Sequence, residues 1–257
     1  LDDTYQAYFN RVARLTLSAA HRSQLQSIQT SPKFKGGQAS PFPGYSVTTP
    51  PWDKHPGNAE LAQKLVQVQQ QLCQELDEGL MVPVSPESFH LTLADLIWGD
   101  IYEDAVQENP EFEEQLRDLI AECFQQCEPV VSQGSPIAMQ VLGLILRPRA
   151  VMVSLVPQSE EGYQRIVQLR RAIYQNSGLM ALRIEQQYNF TAHITLGYFG
   201  EISPDLDRDR ATQILGDISA QWFDDDLPTL TIEQAQLCKF DDMNHFYRKP
   251  DFPILTF

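Results

Sequence analysis

Two stretches decide how this chain is read: Phe89-His90-Leu91-Thr92-Leu93 and Ala192-His193-Ile194-Thr195-Leu196. Both run His-apolar-Thr-apolar, and they use two of the chain's 5 histidines. In a strand, side chains at i and i+2 share a face. His90 and Thr92 therefore project together, with Leu91 and Leu93 opposed, and His193 and Thr195 repeat the arrangement against Ile194 and Leu196. Each segment is expected to show one imidazole and one hydroxyl on a single face, anchored by apolar residues behind.

That combination suits a phosphate. Imidazole titrates near neutrality and can give or take a proton there. A threonine hydroxyl can donate to a phosphate oxygen. Two such pairs facing each other would set an acid and a base on opposite sides of one phosphorus, with no metal needed. A neutral imidazole would activate water or a hydroxyl, and an imidazolium would protonate the leaving oxygen. A single His-x-Thr segment is more often an ordinary half-buried strand. The recurrence of the same face is what lifts the pair above that reading.

Other candidates are weaker. Tyr188 and Tyr198 flank the second motif and could stack on a base or donate to phosphate. Each lies five residues from His193, so on an uninterrupted strand each faces away from it. Phe89 and Phe190 bracket the motifs, and Phe190 reads as core. Arg147, with Arg149, could fork onto a terminal phosphate, although Arg147-Pro148-Arg149 reads as an exposed turn. His21 and His55 receive no role. His245 sits in the polar segment Asp241-Asp242-Met243-Asn244-His245, whose spacing matches no metal-ligand pattern, so no metal and no cofactor is expected.

Composition bounds the class. With 257 residues, 42% hydrophobic and 21% charged, the chain is an ordinary globular sequence. A net charge of −15 argues against a broad nucleic-acid surface and favours a small nucleotide or short RNA end as partner. Glu75-Leu76-Asp77-Glu78, Glu111-Phe112-Glu113-Glu114 and Asp224-Asp225-Asp226 read as solvated faces. No apolar run approaches the roughly 20 residues of a membrane helix, so no membrane partner is expected. The start shows no signal-peptide pattern. Cys73, Cys123, Cys127 and Cys238 read as reduced, mostly core thiols. Together these lead to a cytoplasmic expectation. Oligomeric state is not legible.

Residues 4–30 read as helix and 31–44 as a Pro/Gly-rich loop, so 1–40 is taken as an extension packed beside the core. A first strand is expected at 45–49 and a helix at 59–77, N-capped by Asn58, with Leu61, Leu65, Val68 and Leu72 at helical spacing. The motif strand 89–93 follows. A helix is read at 111–127 and a hairpin at 137–146 and 150–156. Then come a helix at 160–176, the motif strand 190–199, a helix at 207–222 and a strand at 228–238. The apolar tail Phe252, Ile254, Leu255 and Phe257 could add an edge strand. Strand, helix, motif strand, helix, strand thus occurs twice. This predicts an α+β fold of two pseudo-symmetric lobes, about 41–146 and 147–257, each an antiparallel sheet flanked by helices, with a cleft between them.

The paired His-x-Thr-x motifs, 103 residues apart, resemble those of the 2H phosphoesterase superfamily, which includes cyclic phosphodiesterases and RNA 2′-5′ ligase-like proteins. The resemblance spans about residues 42–257 in the order of elements and is specific at the two motifs. Phe42-Pro43-Gly44-Tyr45-Ser46-Val47 is similar to an uncharacterised branch in which a Pro-Gly turn enters the first strand. The family resemblance implies a bilobal fold. It also implies that His90 and His193 are the acid/base pair and that Thr92 and Thr195 bind the phosphate. The expected activity is opening of a 2′,3′-cyclic or related cyclic phosphate on a nucleotide or RNA end. A protein that binds such an end without cleaving it, and one that joins RNA ends, are the alternatives.

Overall fold

The structure is a computed structural model that describes residues 3–52, 56–223 and 228–257; His55 and Asp224-Asp225-Asp226 lie outside the described residues. The chain opens with helices α1 (Tyr5–Leu15) and α2 (Ser18–Leu25), a short hairpin of β1 (Phe34–Lys35) and β2 (Gln38–Ala39), and β3 (Gly44–Thr48). Then come α3 (Ala59–Glu75), β4 (Met81–Pro83), β5 (Thr92–Trp98), α4 (Gly99–Glu108) and α5 (Phe112–Val131). The middle holds β6 (Ile137–Arg147), β7 (Ala150–Pro157), α6 (Glu160–Tyr174), α7 (Ser177–Ala181) and β8 (His193–Phe199). The last part holds α8 (Arg208–Phe223), β9 (Leu230–Ile232), β10 (Gln234–Asp242), β11 (His245–Tyr247) and β12 (Ile254–Thr256).

The fold is α+β. One antiparallel sheet runs β11-β10-β3-β5 with β12 also on β10, and the other runs β4-β8-β7-β6-β9. Each motif strand neighbours the first strand of its own half: β5 pairs β3, and β8 pairs β7. The closing strand of each half, however, sits in the other half's sheet. β6 pairs β7, and β10 pairs β3. The strands therefore do not sort into sheets at a cut near 146/147. The reason is the turn itself: Arg147 pairs Ala150, leaving only Pro148 and Arg149 to connect β6 and β7, and so short a turn keeps both in one sheet. The strand read at 228–238 is likewise two strands. The chain changes sheets at Glu233, from β9 against β6 to β10 against β3.

Several other expectations are refined. The N-terminal helix breaks at Thr16, whose hydroxyl donates to the Ala13 carbonyl at 2.8 Å. These helices are no loose appendage. Tyr8 is fully buried, and its hydroxyl donates to the Leu155 carbonyl of β7. His21 Nε2 bonds the Leu144 carbonyl of β6 at 2.8 Å. Asn58 stands at the start of α3 but does not cap it through its side chain. Its amide instead donates to the Thr231 carbonyl at 3.0 Å and accepts from the Thr231 N–H at 2.8 Å, pinning the exposed edge of β9. The tail strand pairs with β10 as β12. Helix α4 is not evident in the sequence. It starts at Gly99, whose φ of 59 suits a residue without Cβ. Gly44 is required by a close approach: an added Cβ would lie 2.8 Å from Trp98 Cα. No helix of the described residues is long and apolar enough to cross a membrane.

The apolar stripes fall where periodicity places them, except that Leu119, expected on the buried stripe of the 111–127 helix, is only partly buried. Leu61, Leu65, Val68 and Leu72 of α3, and Phe112, Leu116, Ile120 and Phe124 of α5, are buried in one contiguous core. Cys123 and Cys127 extend the α5 stripe as free thiols, and Cys238 is buried too, whereas Cys73 is exposed. One polar knot ties α5 to the first sheet. A single Glu113 oxygen accepts from the Tyr45 hydroxyl of β3, the Tyr102 hydroxyl of α4 and the Lys239 ammonium of β10. Burial alone would raise the Glu113 carboxyl, but the bonds from Lys239, Tyr102 and Tyr45 outweigh it and hold the group below its ordinary value. Such a group stabilises the fold above its unfolded value, and that contribution is lost as pH falls through the folded one. Glu113→Gln is expected to cost about 1–2 kcal/mol near neutral pH, measured by denaturant unfolding, and less at about pH 3.

Candidate active site

His90 and Thr92 stand at the entry to β5, and His193 and Thr195 open β8. Leu91, Leu93, Ile194 and Leu196 are fully buried behind them, as the alternation requires. All four motif side chains line one cavity of about 1090 Å³ between the sheets. The two imidazoles are held in the same way. His90 Nδ1 lies 2.7 Å from the Ser88 carbonyl, and His193 Nδ1 lies 2.7 Å from the Thr191 carbonyl, in each case two residues upstream. A carbonyl can only accept, so Nδ1 carries the proton in both rings and Nε2 is left for the cavity.

Register slips decide what else reaches the cavity. Along β3, Thr48 faces Thr92, Val47 faces Ala94, Ser46 faces Asp95 and Tyr45 faces Ile97. Leu93 and Leu96 are therefore extra residues in β5. Each such insertion reverses the in–out parity of the residues after it. Asp95 and Trp98 consequently join Thr92 in lining the cavity. In β8, Thr195 faces Met152 and Gly197 faces Val151, so Leu196 is the extra residue. Tyr198 then turns to the face of Thr195, contrary to the expectation from unbroken alternation. Tyr198 lines the cavity, accepts from Lys33 Nζ at 3.5 Å, and donates to Met243 Sδ at 3.2 Å. Tyr188 lies at the rim and is 66% exposed.

Phe190 is 8% exposed and stacks on Tyr8, which fits the core reading, yet its edge also lines the cavity. Arg147 and Arg149 line the wall. Arg147 is not the solvated turn residue that its sequence context suggests. It is half-buried, and its guanidinium donates to the Thr191 hydroxyl at 3.3 Å. His21 is buried elsewhere, and His245 pairs with Asp241 on the surface. Among the described residues no cluster of His, Cys, Asp and Glu could hold a metal ion.

Four further residues at the site carry no signal of it in the motifs. Lys33 reaches in from the segment before β1, with Nζ 4.5 Å from the Phe42 ring centre and 5.0 Å from that of Tyr198. Burial draws its pKa down to about 8. Arg11 of α1 donates to the Thr191 hydroxyl at 2.9 Å and the Phe190 carbonyl at 2.7 Å. Arg170 of α6 is buried and bridges both motif regions, donating to the Leu93 carbonyl at 2.6 Å and the Tyr188 carbonyl at 3.3 Å. Phe246 of β11 lies with its ring centre 4.3 Å from that of His90. Asp95 did have a signal, since it occupies the same place after His90 that Tyr198 occupies after His193. Lys33 and Arg11 had none, because nothing local links them to the motifs.

The cavity inverts the charge of the chain. Arg11, Lys33, Arg147, Arg149 and Arg170 line it against one carboxylate, Asp95. Burial lowers both motif histidines, His90 to about 4 with help from the charges of His193 and Lys33, while the carbonyl bonds oppose the shift. A histidine depressed in the fold stabilises it above the unfolded value of about 6.5 and loses that contribution as pH falls toward the folded one. The unfolding temperature is therefore expected to drop between about pH 7 and pH 5, and to drop less in a His90→Asn/His193→Asn double variant. Arg170→Met should cost about 2–4 kcal/mol in denaturant unfolding, since it strands two carbonyls in the wall.

No family model and no curated protein sequence matches the chain. Solved structures do. The conserved protein ATU0111 of Agrobacterium tumefaciens str. C58, of unknown function, is 16% identical over 85% of this chain and 90% of that one, with a TM-score of 0.56. TT0787 of Thermus thermophilus is 17% identical over 82% and 94%, with a TM-score of 0.43. LigT of E. coli in apo form is 12% identical over 85% and 100%, with a TM-score of 0.42. The likeness to the Agrobacterium protein is one of fold, and it runs through most of both chains.

Proposed function

We propose that the chain is a phosphoesterase of the 2H type that opens a 2′,3′-cyclic, or related cyclic, phosphate on a nucleotide or RNA end. One observation carries the reading: two imidazoles with their Nδ1 protons committed to carbonyls share one cavity with two hydroxyls on their own strands. Cationic side chains around them suit an anionic substrate. The aromatic rings of Trp98, Phe246 and Tyr188 offer surfaces for a base.

In the reaction, Nε2 of one neutral imidazole takes a proton from water as its oxygen attacks phosphorus. The bond from phosphorus to the 2′ or 3′ oxygen breaks, and Nε2–H of the other ring, as imidazolium, protonates that oxygen. The pair ends with its proton moved from one ring to the other, and exchange with solvent resets it. Thr92 and Thr195 hold the non-bridging oxygens. Acid and base together balance the step, so no metal takes part in this proposal. Both imidazoles are held below their ordinary value, so the acid form is the scarce one in the free protein.

The test is hydrolysis of 2′,3′-cyclic nucleotides, 2′-5′ dinucleotides and ADP-ribose cyclic phosphate with EDTA present. Turnover of a cyclic phosphate is expected, falling by about 10²–10⁴ in His90→Ala and in His193→Ala. Unchanged turnover in either variant would sink the assignment, and recovery of intact ligand from a saturated protein would favour binding alone. The plot of kcat/KM against pH should be a bell whose maximum lies below about 6.5, reporting the two rings as a coupled pair.

A further inference from the structure

We infer that Arg11 and Arg147 form a second anion subsite beside the two histidines, for a substrate that carries a further phosphoryl group on the 5′ side of the reacting nucleotide. The inference rests on the phosphoesterase reading and narrows its substrate.

Two guanidinium groups meet on one atom. Arg11 Nη1 lies 2.9 Å from the Thr191 hydroxyl oxygen, and Arg147 Nη2 lies 3.3 Å from the same oxygen. The two nitrogens can be no further apart than the sum of those distances. Like charges this close repel, more strongly where the wall excludes water. Arg147 bears that cost: burial and the charge of Arg11 both lower its pKa. Arg11 has a carboxylate, Asp3, at 2.9 Å. Arg147 has no ion-pair partner among the described residues, and its guanidinium is held by the Thr191 hydroxyl. Arg147 itself lines the cavity wall. A half-buried guanidinium without a counter-charge, set against a second one, is a site that an anion would relieve.

The position limits which anion. The carbonyl of the same Thr191 receives His193 Nδ1, so the subsite adjoins the reacting centre without being part of it. A phosphoryl group there must belong to the same nucleotide or to the linkage next to it. A nucleotide 5′-phosphate and the 5′ phosphodiester of an RNA end share that chemistry. Arg149, two residues further along the same turn, adds charge to the wall. Segment 1–40 would thus contribute to substrate choice through Arg11.

The experiment is calorimetric titration of the full chain with the four common ribonucleoside 3′-monophosphates, their 3′,5′-bisphosphates, and dinucleotides ending in a 3′-phosphate. Bisphosphate or dinucleotide is expected to bind about ten- to a hundredfold tighter than the matching monophosphate, the range of one or two charge-assisted hydrogen bonds. In Arg147→Gln that advantage should fall to about threefold or less, and Arg147→Lys should keep part of it. Gain by the bisphosphate alone assigns the subsite to a free nucleotide, and gain by the dinucleotide assigns it to an RNA end. If Arg147 merely supports Thr191, the variant weakens all ligands by one factor and the ratio stays, which overturns the inference. Equal affinities in the unaltered protein overturn it while leaving the phosphoesterase reading intact. Binding of none of these ligands overturns the inference, and the phosphoesterase reading is then decided by the turnover assay alone.

Discussion

Each cavity imidazole is fixed by one hydrogen bond from Nδ1 to the carbonyl two residues earlier, and each of the two residues that supply those carbonyls is itself held by hydrogen bonds. Ser88 closes a tight turn, its N–H and its hydroxyl both bonded to the Ser85 carbonyl. Thr191 is gripped through its hydroxyl by Arg11 and Arg147, while Arg11 also takes the preceding carbonyl of Phe190. The two holds differ in kind. The first is local and needs only the Pro86–Ser88 turn, whereas the second recruits a helix and a hairpin turn distant in sequence. Neither ring can exchange tautomer without giving up a bond to a carbonyl that has no proton to offer. The fold therefore decides which nitrogen of each ring is left without a backbone partner.

The exchange of closing strands between the sheets has a related effect. With β6 beside β7 and β10 beside β3, neither sheet is completed by its own half of the chain. Each motif strand is backed by a strand from its own half, and that strand by one from the other half. Contacts of this kind are long-range, so they carry loop-closure entropy that must be offset by burial. The continuous apolar core through both sheets supplies that burial.

The motifs, the element order and the apolar stripes of α3 and α5 are legible because each depends on local periodicity. The lobe boundary is not. Yet the hairpin read at Arg147-Pro148-Arg149 already bears on it, since the two strands of a hairpin pair with each other and so share a sheet. Tyr198 escapes for a different reason: alternation is a rule for regular strands, and the extra residues at Leu93, Leu96 and Leu196 are invisible in a sequence of apolar residues that would alternate equally well without them. Lys33, Arg11 and Arg170 are out of reach because a cavity wall gathers residues by tertiary position. A single lysine in a Pro/Gly-rich stretch gives no hint that its ammonium stands over Phe42 and Tyr198.

The charge of the chain reads differently once the cavity is known. A net −15 is hostile to a long polyanion, because such a ligand samples the outer surface. A small ligand samples the cavity, where five cations face one carboxylate. Where the wall is buried, its few cations count for more than carboxylates solvated on the outer surface, whose field salt screens. It also explains why the imidazoles can be depressed in an acidic protein: they respond to burial and to the cations around them, and the surface acids are screened from them. An acidic chain thus encloses a cavity of the opposite charge, and the two fields act on different scales.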